Sequence, residues 1–314
     1  MAMLRVKSLA RILFLALGLY LPAQAWAQAD TEPSRFLTIW AGMLPLILAA
    51  PHGGRLAIPG VAPRRGLGVA QFTVERDSNT AELAELLAVK LGVKLGARPF
   101  LVIAHFERKF IDANRSESSA FESPAAKPYY EAYHPALQEA SARVRHRWGS
   151  GLLLDIHGQR AEADTIFRGT NNGKSVAALR QRFGAAALTG PKSILAQLAV
   201  KGYRIAPPDD HEGRYVGGYT TQTYGSHRGT EIDAIQLEFG ANLRKQGNLE
   251  RTANDLAQAI EVFAKEYLPL AKVAGDERPT LQPWTSCPQK SSRAACSDRA
   301  PGEVAATIGR VFGT

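Results

Sequence analysis

The chain has 314 residues, of which 45% are hydrophobic, 8% aromatic and 21% charged. This balance is typical of a globular protein and excludes wholesale disorder, a collagen-like repeat and a chain with many membrane spans. The formal net charge is +9, but no basic stripe interleaved with aromatic residues occurs, so no nucleic-acid binding is expected. The two cysteines are too few for a disulfide-dense scaffold or for a zinc site built from four cysteines.

Residues 1–27 have the pattern of a secretory signal peptide. A basic start is followed by an apolar run at 12–21 and by a small-residue cleavage site at Ala25 and Ala27. The apolar run is shorter than the roughly 20 residues that a membrane span needs. We therefore expect a periplasmic or secreted protein without stable membrane insertion after signal removal, and an uncleaved anchor is the alternative. The mature chain would carry a formal charge of +6, because the segment holds three basic residues and no acid.

After the signal-like segment, the composition of the chain changes once, near residue 279. No Pro/Gly-rich linker splits residues 36–270, so residues 28–278 are expected to form one domain. Residues 279–314 read as a polar, loop-rich tail that holds Cys287 and Cys296. In an oxidising compartment these two cysteines are expected to form one local disulfide.

Apolar periodicity predicts strands that alternate with helices along this domain. In chain order the predicted elements are a strand at 44–50, a helix at 80–94, a strand at 99–104, a helix at 129–148, a strand at 151–156, a short strand within 164–171, helices at 175–183 and 193–200, a strand at 234–239 and a helix at 249–267. His134 and Pro135 are expected to mark the first turn of the second helix. The alternation favours an α/β fold of three α/β/α layers, in which helices cover both faces of a mainly parallel mixed sheet.

Polar groups follow three of the predicted strands. His52 follows the first strand, His157 follows the strand at 151–156, and Glu238 lies near the end of the last. Because sites in open α/β sheets lie at the carboxyl ends of strands, these groups suggest a metal site with a nearby general base. Catalytic zinc takes three protein ligands and keeps one position for water. The segment before the first helix offers Glu75 and Asp77 as the third ligand, and spacing alone does not choose between them.

Six motifs occur in order within residues 44–265. They are Pro-His-Gly-Gly at 51–54, Arg-Asp-Ser-Asn-Thr at 76–80, Glu-Arg-Lys-Phe-Ile-Asp-Ala-Asn-Arg at 107–115, Asp-Ile-His at 155–157, Gly-Gly-Tyr-Thr-Thr-Gln-Thr-Tyr-Gly at 217–225 and Ala-Ile-Gln-Leu-Glu at 234–238. Any one of them is weak, but six in order resemble the N-formylglutamate amidohydrolase family, whose members share the fold of zinc carboxypeptidases. The family often has serine after the second histidine motif, where this chain has Gly158.

The resemblance implies a zinc centre with a catalytic carboxylate beside it. It favours Asp77 over Glu75, so that His52, Asp77 and His157 would bind Zn²⁺. Glu238 would then take the proton of the attacking water as general base and return it to the departing amine as general acid.

The other polar residues of the motifs are expected to stabilise or bind the substrate. Arg108 is the candidate for stabilising the oxyanion, and Asn114 and Arg115 are candidates for gripping a substrate carboxylate. Further candidates for substrate binding are Arg168, Tyr219 and Tyr224. Asp112 and Asp155 are expected to orient a neighbouring arginine or ligand, or to be structural.

The remaining histidines have no expected role in the site. His105 follows a strand without a paired carboxylate motif. The others, which lie in charged helical or loop segments and are expected to be solvated, are His134, His146, His211 and His227.

These observations predict an exported zinc-dependent amidohydrolase that acts on a small, carboxylate-bearing amide. The resemblance names an N-acyl amino acid similar to N-formylglutamate as the substrate class. One alternative is an envelope peptidase or amidase that acts on peptidoglycan peptides or poly-glutamate. Another is a binding module that keeps the scaffold without catalysis. The sequence does not indicate the oligomeric state.

Overall fold

A seven-stranded mixed sheet forms the centre of the protein. The computed structural model describes residues 32–209 and 211–270. In chain order the strands are β1 (Leu37–Trp40), β2 (Leu46–Ala50), β3 (Phe100–Ala104), β4 (Gly151–Gln159), β5 (Thr165–Gly169), β6 (Arg204–Ala206) and β7 (Ile232–Gly240). Their spatial order is β1-β3-β2-β4-β7-β5-β6.

The central strands of the sheet are parallel, and one strand on each side of them runs in the opposite direction. Strands β3, β2, β4 and β7 pair in parallel, whereas β1 and β5 run antiparallel to their inner neighbours β3 and β7. The carboxyl ends of β2, β4 and β7 therefore meet at one edge, where His157 is in register with Glu238. These central strands are buried along almost their whole length, as expected for strands covered on both faces.

Helices cover both faces of the sheet. They are α1 (Thr80–Leu95), α2 (Glu117–Ala120), α3 (Lys127–Trp148), α4 (Ala177–Phe183), α5 (Ala186–Thr189), α6 (Ile194–Val200), α7 (Tyr219–Tyr224) and α8 (Gln246–Tyr267). Helices α1, α4, α5, α6 and α8 bury their apolar side chains in a core on one face, and α3 does so in a second core on the other face. The expected α/β fold with three layers is confirmed.

The apolar residues that recur along the long helix α8 are the ones that it buries. Leu249, Leu256, Ile260 and Phe263 recur at helical spacing and are almost fully buried against the sheet and α1. Lys94 of α1 pairs with Glu261 of α8 at 3.4 Å along the outer side of this contact. Burial of four such side chains contributes far more to stability than the partly exposed ion pair does.

The structure differs from the expectations in several elements, and the short helices α2, α5 and α7 were not expected. Strands β1 and β6 were not expected, because four and three residues carry too little periodicity to recognise. Helix α3 begins at Lys127, so Pro135 lies inside it rather than in its first turn. Pro135 is exposed, which lets water bind the carbonyl of Glu131 that loses its intrahelical partner.

Two expectations concern residues outside the described ranges. The signal peptide at 1–27 and the tail at 279–314 with its disulfide remain predictions. Among residues 32–209 and 211–270, no helix combines the length and the apolar character needed to cross a membrane.

Candidate metal centre

Three buried side chains converge at the carboxyl edge of the sheet. His52, Asp77 and His157 each point one potential ligand atom into a cluster whose atoms lie within 4.8 Å of one another. His52 follows β2 directly, His157 lies in β4, and Asp77 ends the long connection from β2 to α1. The members of the cluster lie up to 105 positions apart in the sequence. They come together because the parallel strands that carry the two histidines end at the same edge of the sheet.

Close backbone packing places His52. The backbone N–H of Asp77 donates to the carbonyl of His52 at 2.9 Å, which closes the connection between the two residues. Gly53 then passes so near the start of α1 that a Cβ on it would lie 2.4 Å from the backbone nitrogen of Ala81. Only glycine permits this approach, which explains the residue after His52.

The structure selects Asp77 over Glu75 as the carboxylate of the cluster. Asp77 is buried and its Oδ2 accepts a hydrogen bond from the backbone N–H of Gly158 at 3.0 Å. Glu75 is exposed and forms an ion pair with Arg160 on the surface. The two acids are separated by one residue, yet only Asp77 turns inward to the histidines.

Each imidazole has a further carboxylate beside its Nε2 atom. Asp112 Oδ1 lies 2.6 Å from Nε2 of His52, and Asp155 Oδ2 lies 2.9 Å from Nε2 of His157. When each Nε2–H donates to its carboxylate, both Nδ1 atoms present a lone pair toward Asp77. The Nδ1 atom of His52 is buried with no hydrogen-bond partner in the described part of the chain. Two imidazole nitrogens and one carboxylate oxygen form the donor set of a three-ligand zinc site, so these residues fit a divalent metal ion.

The electrostatics of the cluster favour a bound cation. Burial alone would raise the pKa of Asp77, but the interactions with His157 and His52 outweigh it and hold that pKa far below its ordinary value. Burial alone would lower the pKa of His157, but Asp155 and Asp77 outweigh it and raise that pKa well above its ordinary value. The anions that attract a proton to His157 would equally attract a metal ion, which then replaces the proton.

Glu238 lies beside the cluster on the neighbouring strand. Its partner in the β4–β7 register is His157, and Gln236 Nε2 donates to its Oε1 at 2.8 Å. Burial raises the pKa of Glu238 above its ordinary range, while the charge of His157 opposes the rise. A carboxylate with a raised pKa is better matched to proton transfer near neutral pH than an ordinary one.

Three arginines surround the carboxylate of Asp112. Arg108 donates to Asp112 Oδ2 from Nε at 3.0 Å and from Nη2 at 2.9 Å, and its Nη1 lies 3.8 Å from Oδ1 of Asp77. Arg115 Nε lies 3.6 Å from Asp112, and its Nη2 donates to the carbonyl of Gln71 at 2.9 Å. Arg64 is buried 3.9 Å from Asp112. Arg108 and Arg115 thus come together at the cluster, where Arg115 stays partly open to solvent.

Asn114 links the cluster to helix α7. Its Oδ1 accepts the backbone N–H of Thr220 at 2.7 Å, and its Nδ2 lies 3.2 Å from Nε2 of His157. A Cβ at position 218 would lie 2.1 Å from the Asn114 amide nitrogen, so Gly218 leaves the room that this side chain fills. Asn114 therefore lies in the site, with its carbonyl oxygen held by α7 and its amide nitrogen beside the ring of His157.

The two tyrosines of the Gly-Gly motif meet a buried histidine rather than the metal cluster. The hydroxyl of Tyr224 lies 2.9 Å from Nδ1 of His134, and Tyr219 packs edge-on against the same ring at 5.5 Å. Nε2 of His134 lies 3.1 Å from the carbonyl of Ala113, to which it donates. The expectation that His134 is solvated is wrong: the residue is 7% exposed and supports the segment that carries Asp112 and Asn114. The charged neighbours of His134 in the sequence lie on the outer side of α3, whereas His134 itself faces inward.

Arg168 is not brought to the cluster. Its partner in the β5–β7 register is Leu237, which faces the core opposite to that of Glu238. The guanidinium is 2% exposed and donates to Glu212 at 3.1 Å. The structure therefore gives Arg168 the role of holding the segment around Glu212, without access to the pocket.

Sequence reasoning did not single out three residues near the site: Arg64, Tyr215 and Arg244. Tyr215 packs against Phe167 at 4.8 Å, and the charges of Glu238 and Asp77 add to the rise that burial causes in its pKa. No short motif contains these residues, so only the three-dimensional fold identifies them. His146 and His211 are exposed as expected, and His227 is half-buried.

Comparisons with known proteins find one family model and one curated relative. A family model described as N-formylglutamate amidohydrolase matches residues 122–243, which include His157 and Glu238. N-formylglutamate deformylase from Pseudomonas aeruginosa is 26% identical over 291 residues, which cover 77% of this chain and 98% of that protein. The resemblance to the N-formylglutamate amidohydrolase family is confirmed.

Two solved structures share the fold. N-formylglutamate amidohydrolase from Ralstonia eutropha has a TM-score of 0.50 and 18% identity, covering 74% of this chain and 98% of that one. A gene product of Agrobacterium tumefaciens has a TM-score of 0.51 and 16% identity, covering 75% of this chain and 96% of that one. At these identities the likeness concerns the fold.

Replacing Asp112 should weaken metal binding. In Asp112→Asn the amide no longer fixes His52 by a charged hydrogen bond, and we expect zinc affinity to fall by roughly 10–100-fold. The measurement is a zinc titration in competition with a chromophoric chelator. Asp233→Asn is the matched control, because Asp233 is equally buried and bonded to Arg182 at the opposite edge of the sheet. The idea fails if both variants bind zinc as the parent does.

Histidine 134 should make stability depend on pH. Burial lowers its pKa from 6.5 to about 4, against the hydrogen bond to Ala113 and the charge of Asp155. The hydroxyl of Tyr224 and the aromatic ring of Tyr219 also contact the imidazole. Between these two values the unfolded chain binds a proton that the folded chain does not, so stability falls as the pH falls. His134 should contribute up to about 1.4 kcal/mol per pH unit to that slope.

The variant His134→Gln should reduce this slope by close to one proton. Urea unfolding at several pH values between 4 and 6.5 measures it. The control His146→Gln lies exposed on the same helix and should leave the slope unchanged. Equal slopes in both variants would contradict the assignment.

Proposed function

We propose that this relative of the N-formylglutamate amidohydrolases is a zinc-dependent hydrolase that removes the acyl group from an N-acylated acidic amino acid similar to N-formylglutamate. The observation that carries the proposal is the His52–Asp77–His157 cluster, with an unpartnered buried Nδ1 on His52 and Glu238 on the adjoining strand. The names of the matched family and of the Pseudomonas relative support the same reaction.

The three clustered residues would bind the metal ion, and Asp112 and Asp155 would orient its two imidazole ligands. When bound, such an ion supplies Lewis acidity that lowers the pKa of a coordinated water to roughly 7 and polarises a carbonyl oxygen. Zinc is the proposed ion because two imidazoles and one carboxylate are a common donor set for catalytic zinc.

Glu238 would act as the general base and then as the general acid of the reaction. Its ionised carboxylate accepts a proton from the water that attacks the amide carbon, and it later donates this proton to the departing nitrogen. The C–N bond breaks as that nitrogen leaves, so the products are a carboxylate from the acyl group and an amino acid with a free amine. The raised pKa of Glu238 suits both halves of this cycle.

Charge balance favours an anionic substrate. Four carboxylates surround the site (Asp77, Asp112, Asp155 and Glu238), as do four guanidinium groups (Arg64, Arg108, Arg115 and Arg244). A divalent ion would leave an excess of two positive charges, which matches the two carboxylates of an N-acylated acidic amino acid. Arg115 is best placed to bind one carboxylate, because it combines partial exposure with a fixed position beside Asp112. Arg108, between Asp77 and Asp112, is the candidate to stabilise the oxyanion.

We propose that the enzyme works after export, on the basis of the signal-like pattern at residues 1–27. Intact mass of the protein recovered from the cell envelope should correspond to a chain that begins after Ala27. A full-length protein in the cytoplasmic fraction would contradict export.

The deciding experiment compares the parent with Glu238→Gln. The purified parent should contain about one zinc per chain, hydrolyse N-formyl-L-glutamate, and lose activity to a chelator with recovery on added zinc. Glu238→Gln should keep its zinc, because Glu238 is not a member of the ligand cluster, and lose roughly 10²–10⁴-fold in kcat.

Each outcome separates one part of the proposal from the rest. Zinc binding without cleavage would remove the substrate assignment and direct the search to envelope peptides and poly-glutamate. A parent that binds no zinc when the ion is supplied would contradict the metal site. Full activity in Glu238→Gln would contradict the role of Glu238.

A further inference from the structure

Arg244 places a buried guanidinium against backbone segments that flank the metal cluster. The residue follows β7 and is 4% exposed. Its Nε donates to the carbonyl of Phe239 at 3.0 Å, its Nη1 to the carbonyl of Ser78 at 2.5 Å, and its Nη2 to the carbonyl of Gln159 at 3.3 Å. One side chain thus joins three segments that are distant in the sequence.

Each of these carbonyls lies within two residues of a group in the site. Phe239 follows Glu238, Ser78 follows Asp77, and Gln159 comes two residues after His157. A return contact strengthens the connection, because the side-chain amide of Asn79 donates to the carbonyl of Arg244 at 2.8 Å. The guanidinium therefore fixes the spacing of the Asp77 segment relative to the ends of β4 and β7.

The space for this guanidinium is provided by Gly158. A Cβ at position 158 would lie 2.3 Å from Nε and 2.4 Å from Cζ of Arg244. The backbone N–H of the same glycine donates to Oδ2 of Asp77. Gly158 and Arg244 are thus a matched pair, and serine at position 158 would be incompatible with the present position of the guanidinium.

The charge of Arg244 is also placed to act on the site. Among the described residues, its guanidinium has only carbonyl oxygens as hydrogen-bond partners, so no carboxylate neutralises it at close range. Burial lowers the pKa of Arg244, and the charges of Asp77 and Glu238 oppose this shift. Arginine nevertheless stays protonated, and its positive charge repels a cation in the cluster, so any gain in metal binding has to come from the hydrogen bonds of Arg244.

We propose that Arg244, in the space left by Gly158, is a positioning residue that sets the geometry of the metal centre by tying the Asp77 segment to the strands of His157 and Glu238. This inference rests on the proposed metal site. It also explains why residue 158 is glycine: the guanidinium of Arg244 occupies the space that a side chain there would need.

Two variants of Arg244 test the proposal in the full chain, with zinc alone as the probe. Arg244→Met keeps most of the volume and removes all three hydrogen bonds, and we expect zinc affinity to fall by roughly 10–100-fold. Arg244→Lys keeps the charge but reaches fewer carbonyls, so its loss should be smaller. Zinc affinity is measured by chelator competition, and folding is checked by urea unfolding of the metal-free protein.

Arg182→Met is the matched control for a general loss of stability. Arg182 is a less buried arginine, which donates to Ser150 and Asp233 at the far edge of the sheet. It should lower the urea midpoint without changing zinc affinity. If Arg244→Met behaves in the same way, Arg244 is merely structural and the proposal is overturned.

A double-mutant cycle tests the pairing with Gly158. Gly158→Ala alone should weaken zinc binding, because its methyl group displaces the guanidinium. In the Arg244→Met background the same substitution should cost less than about twofold, since a flexible methionine can move aside. Equal effects of Gly158→Ala in both backgrounds would overturn the pairing.

Failure of this inference is distinguishable from failure of the proposed function. A parent protein that binds no zinc contradicts the proposed metal site itself, and the inference with it. A parent that binds zinc and an Arg244→Met variant with equal zinc affinity contradict the inference alone.

Discussion

The buried carboxylate of Asp112 is the interaction on which the site depends. One of its oxygens binds Nε2 of His52 and the backbone N–H of Asn114, and the other binds Arg108. A buried anion is stable only when its partners compensate for lost water, and here an imidazole, an amide and three nearby guanidinium groups do so. Removing the carboxylate would leave several cations close together and would free the first imidazole to rotate.

The fold was largely predictable because its long elements carry strong patterns. Strand β4 and helix α8 combine unbroken apolar or amphipathic runs with lengths that exclude most alternatives. Strands β1 and β6 were not predictable, since their few residues gain their structure from pairing with β3 and β5 rather than from their own sequence. The antiparallel direction of β5 likewise follows from tertiary context.

The residues that the sequence singled out come together in the structure where polar groups follow strand ends, and the residues that it missed support the site from a distance. His52, His157 and Glu238 were recognisable because each follows an apolar run. His134 was misjudged and Arg244 was overlooked, because their roles depend on carbonyl groups that no sequence pattern reveals. Spacing did not choose between Glu75 and Asp77, and the resemblance favoured Asp77; the structure gives the physical reason, because the backbone of the connection turns only Asp77 inward.

The connection between β2 and α1 carries His52 at its start and Asp77 at its end. Within this fully described segment only Leu56 forms a bridge, to Phe106, so most of the connection lacks regular structure. An ion bound to both residues would act as a covalent-like staple across the loop, and closing a loop of this size is worth roughly 3–4 kcal/mol by chain entropy. The ion would thus stabilise residues 53–76 in addition to its chemical role, and its loss would destabilise this loop before the sheet.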